Sequence, residues 1–110
     1  MKSVTVDLVV TGDESAAAAA AVEAVQRGQR VLFVLRVGSS RVVPRARRLC
    51  RGANGQLLVI ANAEVVCVDG IDQVEAVVIR HGRTGRLTAV NACAFLSCDR
   101  SKTSACAGSV

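Results

Sequence analysis

The chain of 110 residues has no tryptophan and no tyrosine, and its aromatic side chains are Phe33 and Phe95 alone. Its core must therefore be aliphatic, and it lacks the rings that single-strand nucleic-acid binders interleave with basic residues. Its five cysteines, Cys50, Cys67, Cys93, Cys98 and Cys106, include no CxxC pair. That excludes a redox dithiol of that form and leaves no cluster with the closed spacing of a zinc site, so no metal is expected. An odd count in what reads as an intracellular chain makes buried or free thiols the expectation. No stretch of about 18 apolar residues runs unbroken by charge, and the opening MKSVTVDLVV lacks a long apolar segment with a cleavage signal. A cytoplasmic, soluble protein with no membrane association is the expectation. The lone histidine, His81, has no carboxylate neighbour in sequence and reads as a surface turn residue, not a base.

What is present points to a folded domain. Hydrophobic residues make up 51% of the chain, arranged in valine and alanine runs, which argues against disorder. The length supports one modest core, not two cofactor domains. A formal charge of +5 favours anionic partners, phosphates included. Arginines gather at Arg36, Arg41, Arg45, Arg47, Arg48 and Arg51, with no Asp or Glu among them. No duplex-reading element accompanies them, so nucleic acid is not the expected partner.

Along the chain, the valine-rich run 5–10 reads as a buried parallel strand. Thr11 to Asp13 form the turn, and Glu14 and Ser15 open a helix to about Arg27. The run Ala16–Ala21 combines high helix propensity with little bulk, so one helix face can approach a sheet closely. Gly28 suits the left-handed residue that ends such a helix. Val31–Leu35 is the second strand, and strand, helix and strand within about 30 residues imply a right-handed crossover with parallel pairing. A short basic helix over 44–51 follows, with Pro44 in its first turn, then a third strand over 56–60. AEVVCVDG, VEAVVIRHG and RLTAVN read as an antiparallel meander with turns at 69–72 and 82–85. ACAFLS then returns as a separate strand beside the first, with Cys93 and Phe95 on one face, Ala94 and Leu96 on the other, and the cysteines as core thiols. The fold class is thus α/β: one Rossmann-like three-layer domain over 1–110, with a parallel sheet and a β-meander crossover. Residues 99–110 read as a flexible tail.

At this level of detail the chain resembles the NAD(P)-binding half of the two-dinucleotide-domain flavoprotein reductases, nearest to thioredoxin reductase. DLVVTGDESAAAAA sits where that family has a strand, a glycine turn and a small-residue helix, with Thr11, Asp13 and Ala16 on the Gly, Gly and Gly/Ala positions. The family's basic box falls on Leu35, Arg36, Val37 and Arg41. NAEVVCVDG and VEAVVIR match the meander. AVNACAFLSCDRSKT matches the closing strand and loop, with Cys98 on a glycine position and Lys102–Thr103 on the last pair. The glycine motif is degenerate, two residues of the basic box are apolar, and the closing glycine is a cysteine. With no flanking FAD half and no redox CxxC, the resemblance implies that a reductase does not reside in this chain alone. It implies a split subunit that docks on a flavin-bearing chain, or a relic used as scaffold.

Dinucleotide binding needs a tight turn, a second glycine where backbone nears the pyrophosphate, and a small residue for helix–strand closeness, with helix amides holding the anion. Ala16 satisfies the last, and Gly12 supplies freedom one position away from the expected place. Asp13 opposes the second: two unit charges at about 4 Å repel by roughly 4 kcal/mol at an effective dielectric of 20. Asp13 can instead cap the helix, with Glu14 also favoured by the dipole. A self-capped helix and a rearranged binding turn both remain open. Arg36 and Arg41 follow the second strand, where a guanidinium can take a 2′-phosphate; the alternative is a solvated basic loop. The candidate cofactor-binding residues are therefore Thr11, Gly12, Asp13, Glu14, Ser15, Ala16, Arg36 and Arg41. NADPH is favoured over NADH, FAD enters only through a partner chain, and no catalytic residue is assigned. The expected partner is a flavin-bearing subunit or a second copy; the competing reading is a non-catalytic scaffold or interaction module derived from the same domain.

Overall fold

The computed structural model describes residues 4–12, 14–38, 41–70 and 73–98. Asp13, the turn residues 71–72 and the whole 99–110 segment, Lys102–Thr103 among them, lie outside the described residues.

Among the described residues the elements run β1 (Val4–Gly12), α1 (Glu14–Gln26), β2 (Arg30–Val34), α2 (Val42–Leu49), β3 (Gln56–Ile60), β4 (Ala63–Asp69), β5 (Ala76–His81) and β6 (Leu87–Cys98). The strands form one mixed sheet in the order β3-β2-β1-β6-β5-β4. β1 pairs in parallel with both β2 and β6, and β2 with β3; the β4–β5 and β5–β6 pairs are antiparallel. This is a three-layer α/β domain of the Rossmann-like kind.

Apolar residues sort onto two faces. Val10, Val31, Phe33 and Leu35 pack with Ala17, Ala18, Ala21, Val22 and Val25 of α1 and Ala46 of α2. On the other face Val6, Val9, Leu32 and Val34 pack with Ala63, Val77, Ile79, Val90 and Ala92 of the meander. The alanines let α1 lie close on the sheet: Ala17 and Ala21 are wholly buried, where any larger side chain would hold the helix off. Ala17, not Ala16, makes this approach, since Ala16 is exposed.

The helix end is as the sequence requires. Gly28 has φ 93, its N–H bonds the Val25 carbonyl at 2.9 Å and the Gln29 N–H bonds the Ala24 carbonyl at 3.1 Å. These two bonds form the Schellman pattern that satisfies the last carbonyls of a helix.

Three expectations are corrected. The third meander strand and the closing strand are one continuous β6: residues 87–91 pair with β5 and 90–98 pair with β1, so Val90 and Asn91 are flanked on both sides. Asn91, which looks like a break in sequence, is an exposed residue within the strand. Thr11 and Gly12 belong to β1, paired with Ser97 and Cys98, and not to the turn. Among the described residues the thiols are core groups only in part: Cys67 and Cys93 are exposed, whereas Cys50 and Cys98 are half-buried and pack against the helix-side cluster. Cys93 departs because the inside–outside alternation changes phase there. Ala92 and Phe95 both pack toward the meander, as do Val6 and Val9 on the neighbouring strand.

Candidate functional site

The carboxyl ends of parallel strands, with the helix amino terminus that follows β1, are where open α/β sheets place their ligands. Here that end gathers Thr11, Gly12, the first turn of α1, and the segment after β2. Thr11 is 8% exposed, and its hydroxyl donates to the Val34 carbonyl at 3.3 Å. It ties β1 to β2 and leaves its side chain inside the protein. Gly12 takes φ 116, a conformation that side chains rarely adopt, so the bend into α1 depends on a glycine at this position. Glu14 is half-buried and Ser15 exposed. Ser15 also lines a groove of about 540 Å³ between α1 and α2, with Ala18, Val22, Arg45 and Leu49. The exposed Ala16 adds almost no bulk to the first turn. Asp13 lies outside the described residues.

Beyond β2 the backbone is stitched to the link between β3 and β4. The N–H of Leu35 donates to Ile60 at 2.8 Å, Ala63 to Leu35 at 2.9 Å, and Asn62 to Val37 at 3.0 Å. These bonds fix where Arg36 emerges. Arg36 is an exposed residue and lines a cleft of about 200 Å³ with Asn62, Ala63, Glu64, Arg80 and Gly82. Arg41 is not part of that cleft. It precedes α2 with φ −69 and makes no side-chain cap, so the two arginines joined in sequence reasoning occupy different places.

Glu64, Arg80 and Asn62 were missed from sequence. Glu64 on β4 stands directly across from Arg80 on β5, and the two form an ion pair through Arg80 Nη2 and Glu64 Oε1. That hydrogen bond, then the charge of Arg80 and more weakly that of Arg36, holds the Glu64 carboxyl below the ordinary glutamate range against a small desolvation effect. The only sequence signal was opposite charge on consecutive strands. Counting back from the β4–β5 turn would have set Glu64 opposite His81, because Cys67, Val68 and Asp69 pair with Val78, Val77 and Ala76. The irregularity between Val65 and Cys67 moves the register by one residue. His81, expected as a surface turn residue, instead ends β5 and is half-buried, with Nε2 3.1 Å from the Thr88 hydroxyl. Among the described residues, no three His, Cys, Asp or Glu side chains group as they would around a metal ion, and no helix is long and apolar enough to cross a membrane.

No family model matches the chain, and no curated protein matches it in sequence. In fold it is similar to solved flavoenzymes. Thioredoxin reductase from Streptococcus pyogenes superposes with a TM-score of 0.70 and 22% identity, over 86% of this chain and 31% of that one. Thioredoxin reductase from Giardia duodenalis gives 0.69 and 18% identity, over 88% and 31%. The flavin-dependent monooxygenase PieE, solved with FAD and substrate, gives 0.71 and 14% identity, over 98% and 33%. The chain spans about a third of the length of each. It has the fold of one sub-domain of thioredoxin-reductase-like flavoproteins.

Proposed function

We propose that this chain is an NAD(P)-binding module of a flavoprotein oxidoreductase system of the thioredoxin reductase kind, working with a flavin-bearing partner chain. The observation that carries the reading is the β1–α1–β2 unit, with Gly12 bent at φ 116 into α1 and Arg36 opening from the same end of the sheet into a cleft with Arg80. The residues suit the adenosine end of a 2′-phosphorylated dinucleotide, because two guanidiniums and the Asn62 amide offer planar and single donors to phosphate oxygens. Gly12 and Ala16 would leave backbone room for the pyrophosphate at the first turn of α1. The bound nicotinamide would supply hydride transfer to the flavin. This chain would hold and orient it, and no residue here is assigned to the chemistry.

The scaffold reading rests on a different observation. Where the resembling family has glycines, Thr11 carries a hydroxyl bonded to Val34 and Cys98 a half-buried side chain packed against the helix-side core. A module that no longer takes a nucleotide can fill its turn in this way.

Calorimetric titration of the chain with NADPH, NADH and FAD separates the two. The module reading expects saturable NADPH binding that is tighter than NADH binding. Arg36→Ala should cut that preference about tenfold or more, the loss of a charge-assisted hydrogen bond to phosphate. Asp13→Gly should tighten both nucleotides by removing a negative charge at the position where the resembling family has a glycine. Heats that stay flat for wild type and both variants, together with a stable hetero-complex, would favour the scaffold.

A further inference from the structure

The cleft at Arg36 carries its own anion. Glu64 and Arg80 are cross-strand partners, so their pairing is set by backbone register and not by the chance meeting of long side chains. Their side chains are 45% and 51% exposed, respectively, open enough for a solute to compete. Asn62, on the cleft wall, is the one non-glycine residue with positive φ among the described residues, at 54°. It is held there by its N–H bond to Val37 and by the Gly82 N–H, which donates to its carbonyl at 2.6 Å. Its amide also leans on Gly38, where a Cβ would come to 3.3 Å from Asn62 Nδ2. Four segments therefore converge on this small space: the strand ends after β2 and β3, the start of β4, and the end of β5.

Two guanidiniums and one carboxylate leave the cleft about one positive charge. A phosphate monoester brings nearly two negative charges and three strong acceptor oxygens, and it fits the guanidinium fork as a carboxylate does. Glu64 is an anion at neutral pH, as an exposed glutamate is, and the hydrogen bond from Arg80, then the charge of Arg80, holds it further in that form, so it competes as the anion. Tethered on the adjacent strand, it does so at high effective concentration.

We propose that Glu64 is a resident competitor for a phosphate monoester: it holds the guanidinium of Arg80 that a nucleotide 2′-phosphate would take together with Arg36, and so sets how strongly the module prefers a 2′-phosphorylated nucleotide. This deepens the nucleotide-binding reading above and rests on it. Arg80 and Glu64 become specificity-determining residues, one attracting and one opposing. Glu64→Gln keeps the shape and hydrogen-bonding reach of the side chain while removing the competing charge.

The test is calorimetry on the full chain with adenosine 2′,5′-bisphosphate, adenosine 5′-monophosphate and inorganic phosphate as probes. Circular-dichroism melts establish that each variant is folded. Glu64→Gln should tighten the bisphosphate about tenfold and leave the monophosphate within about twofold. Arg80→Gln should weaken the bisphosphate selectively, and adding Glu64→Gln to it should recover little. Because both residues lie on the surface, a purely structural role would move the melts and leave the ratio between the two nucleotides unchanged. If the bisphosphate affinity is unaltered in Glu64→Gln, or rises equally with that of the monophosphate, the competitor role is wrong while nucleotide binding stands. If inorganic phosphate binds as tightly as the bisphosphate and the monophosphate does not compete with it, the cleft is a free-anion site and the assignment to a nucleotide fails. If neither wild type nor Glu64→Gln binds any nucleotide, both readings fall together.

Discussion

Cys67 and Asp69 sit two residues apart on β4, with the thiol donating to the Asp69 carboxylate at 3.4 Å. The hydrogen bond, then the carboxylate's charge, pushes the Cys67 thiol above its ordinary value. The thiolate, which is the nucleophile, is therefore scarce despite full exposure. Asp69→Asn should raise the alkylation rate of Cys67 at neutral pH about two- to fivefold, part of the gain in thiolate being offset by its lower intrinsic nucleophilicity. Peptide-resolved mass spectrometry after timed iodoacetamide exposure reads this directly, and an unchanged rate would show that the carboxylate does not hold the thiol. At this scale the sequence was informative wherever a residue's role is backbone-driven. Gly28 and Gly12 were legible because few other residues tolerate their φ values. Exposure of a thiol was not legible, because it depends on which way one strand position faces.

Helix α1 shows what a local pattern can encode. Six consecutive alanines fix a helix by propensity and also fix how near it lies to the sheet, since Ala17, Ala18, Ala21 and Ala24 are all buried against it. Ala21→Leu inserts bulk where α1 meets Val10, Phe33 and their neighbours, and should destabilise the domain by about 1–3 kcal/mol, measured as a lower urea midpoint with an unchanged slope. A midpoint equal to wild type would mean that the helix is not closely packed. β6 shows the reverse case. Its twelve residues read as two strands because Asn91 interrupts the apolar run, yet Asn91 pairs with Thr5 on one side and Ala76 on the other. One strand changes neighbours along its length, antiparallel to β5 and then parallel to β1. No periodicity in the strand itself announces such an exchange. The shift between Val65 and Cys67 on β4 is of the same kind: a single extra residue re-aims Glu64 at Arg80.

For the whole molecule, β1, β2 and β6 serve two hydrophobic clusters at once, the helix side and the meander side. Shared strands make independent melting of the two halves improbable on energetic grounds, since neither face can lose its partner without exposing the strands that support the other. Phe33→Ala on the helix side should cost about 3–5 kcal/mol and Ile79→Ala on the meander side about 2–5 kcal/mol. Each should lower one common transition, seen by circular dichroism and by hydrogen exchange across both faces. A meander that exchanges early while the parallel strands stay protected would show two cooperative units. Losses of this size are a large part of the 5–15 kcal/mol typical of a domain.

The amino-acid sequence by itself determined the alanine-faced helix and its glycine end, because propensity and capping act within a few residues of chain, and it announced the βαβ unit and the Rossmann-like class through the order of apolar runs and the helix between them. It also marked Arg36 as the basic residue following the second strand. Only the tertiary structure decided that Thr11 points inward, that β6 is continuous, and that Arg36 meets Arg80 and Glu64 while Arg41 stands apart. Those outcomes depend on the pairing of strands far apart in sequence. There a one-residue change of register exchanges which side chains face one another, and the local pattern carries no record of it.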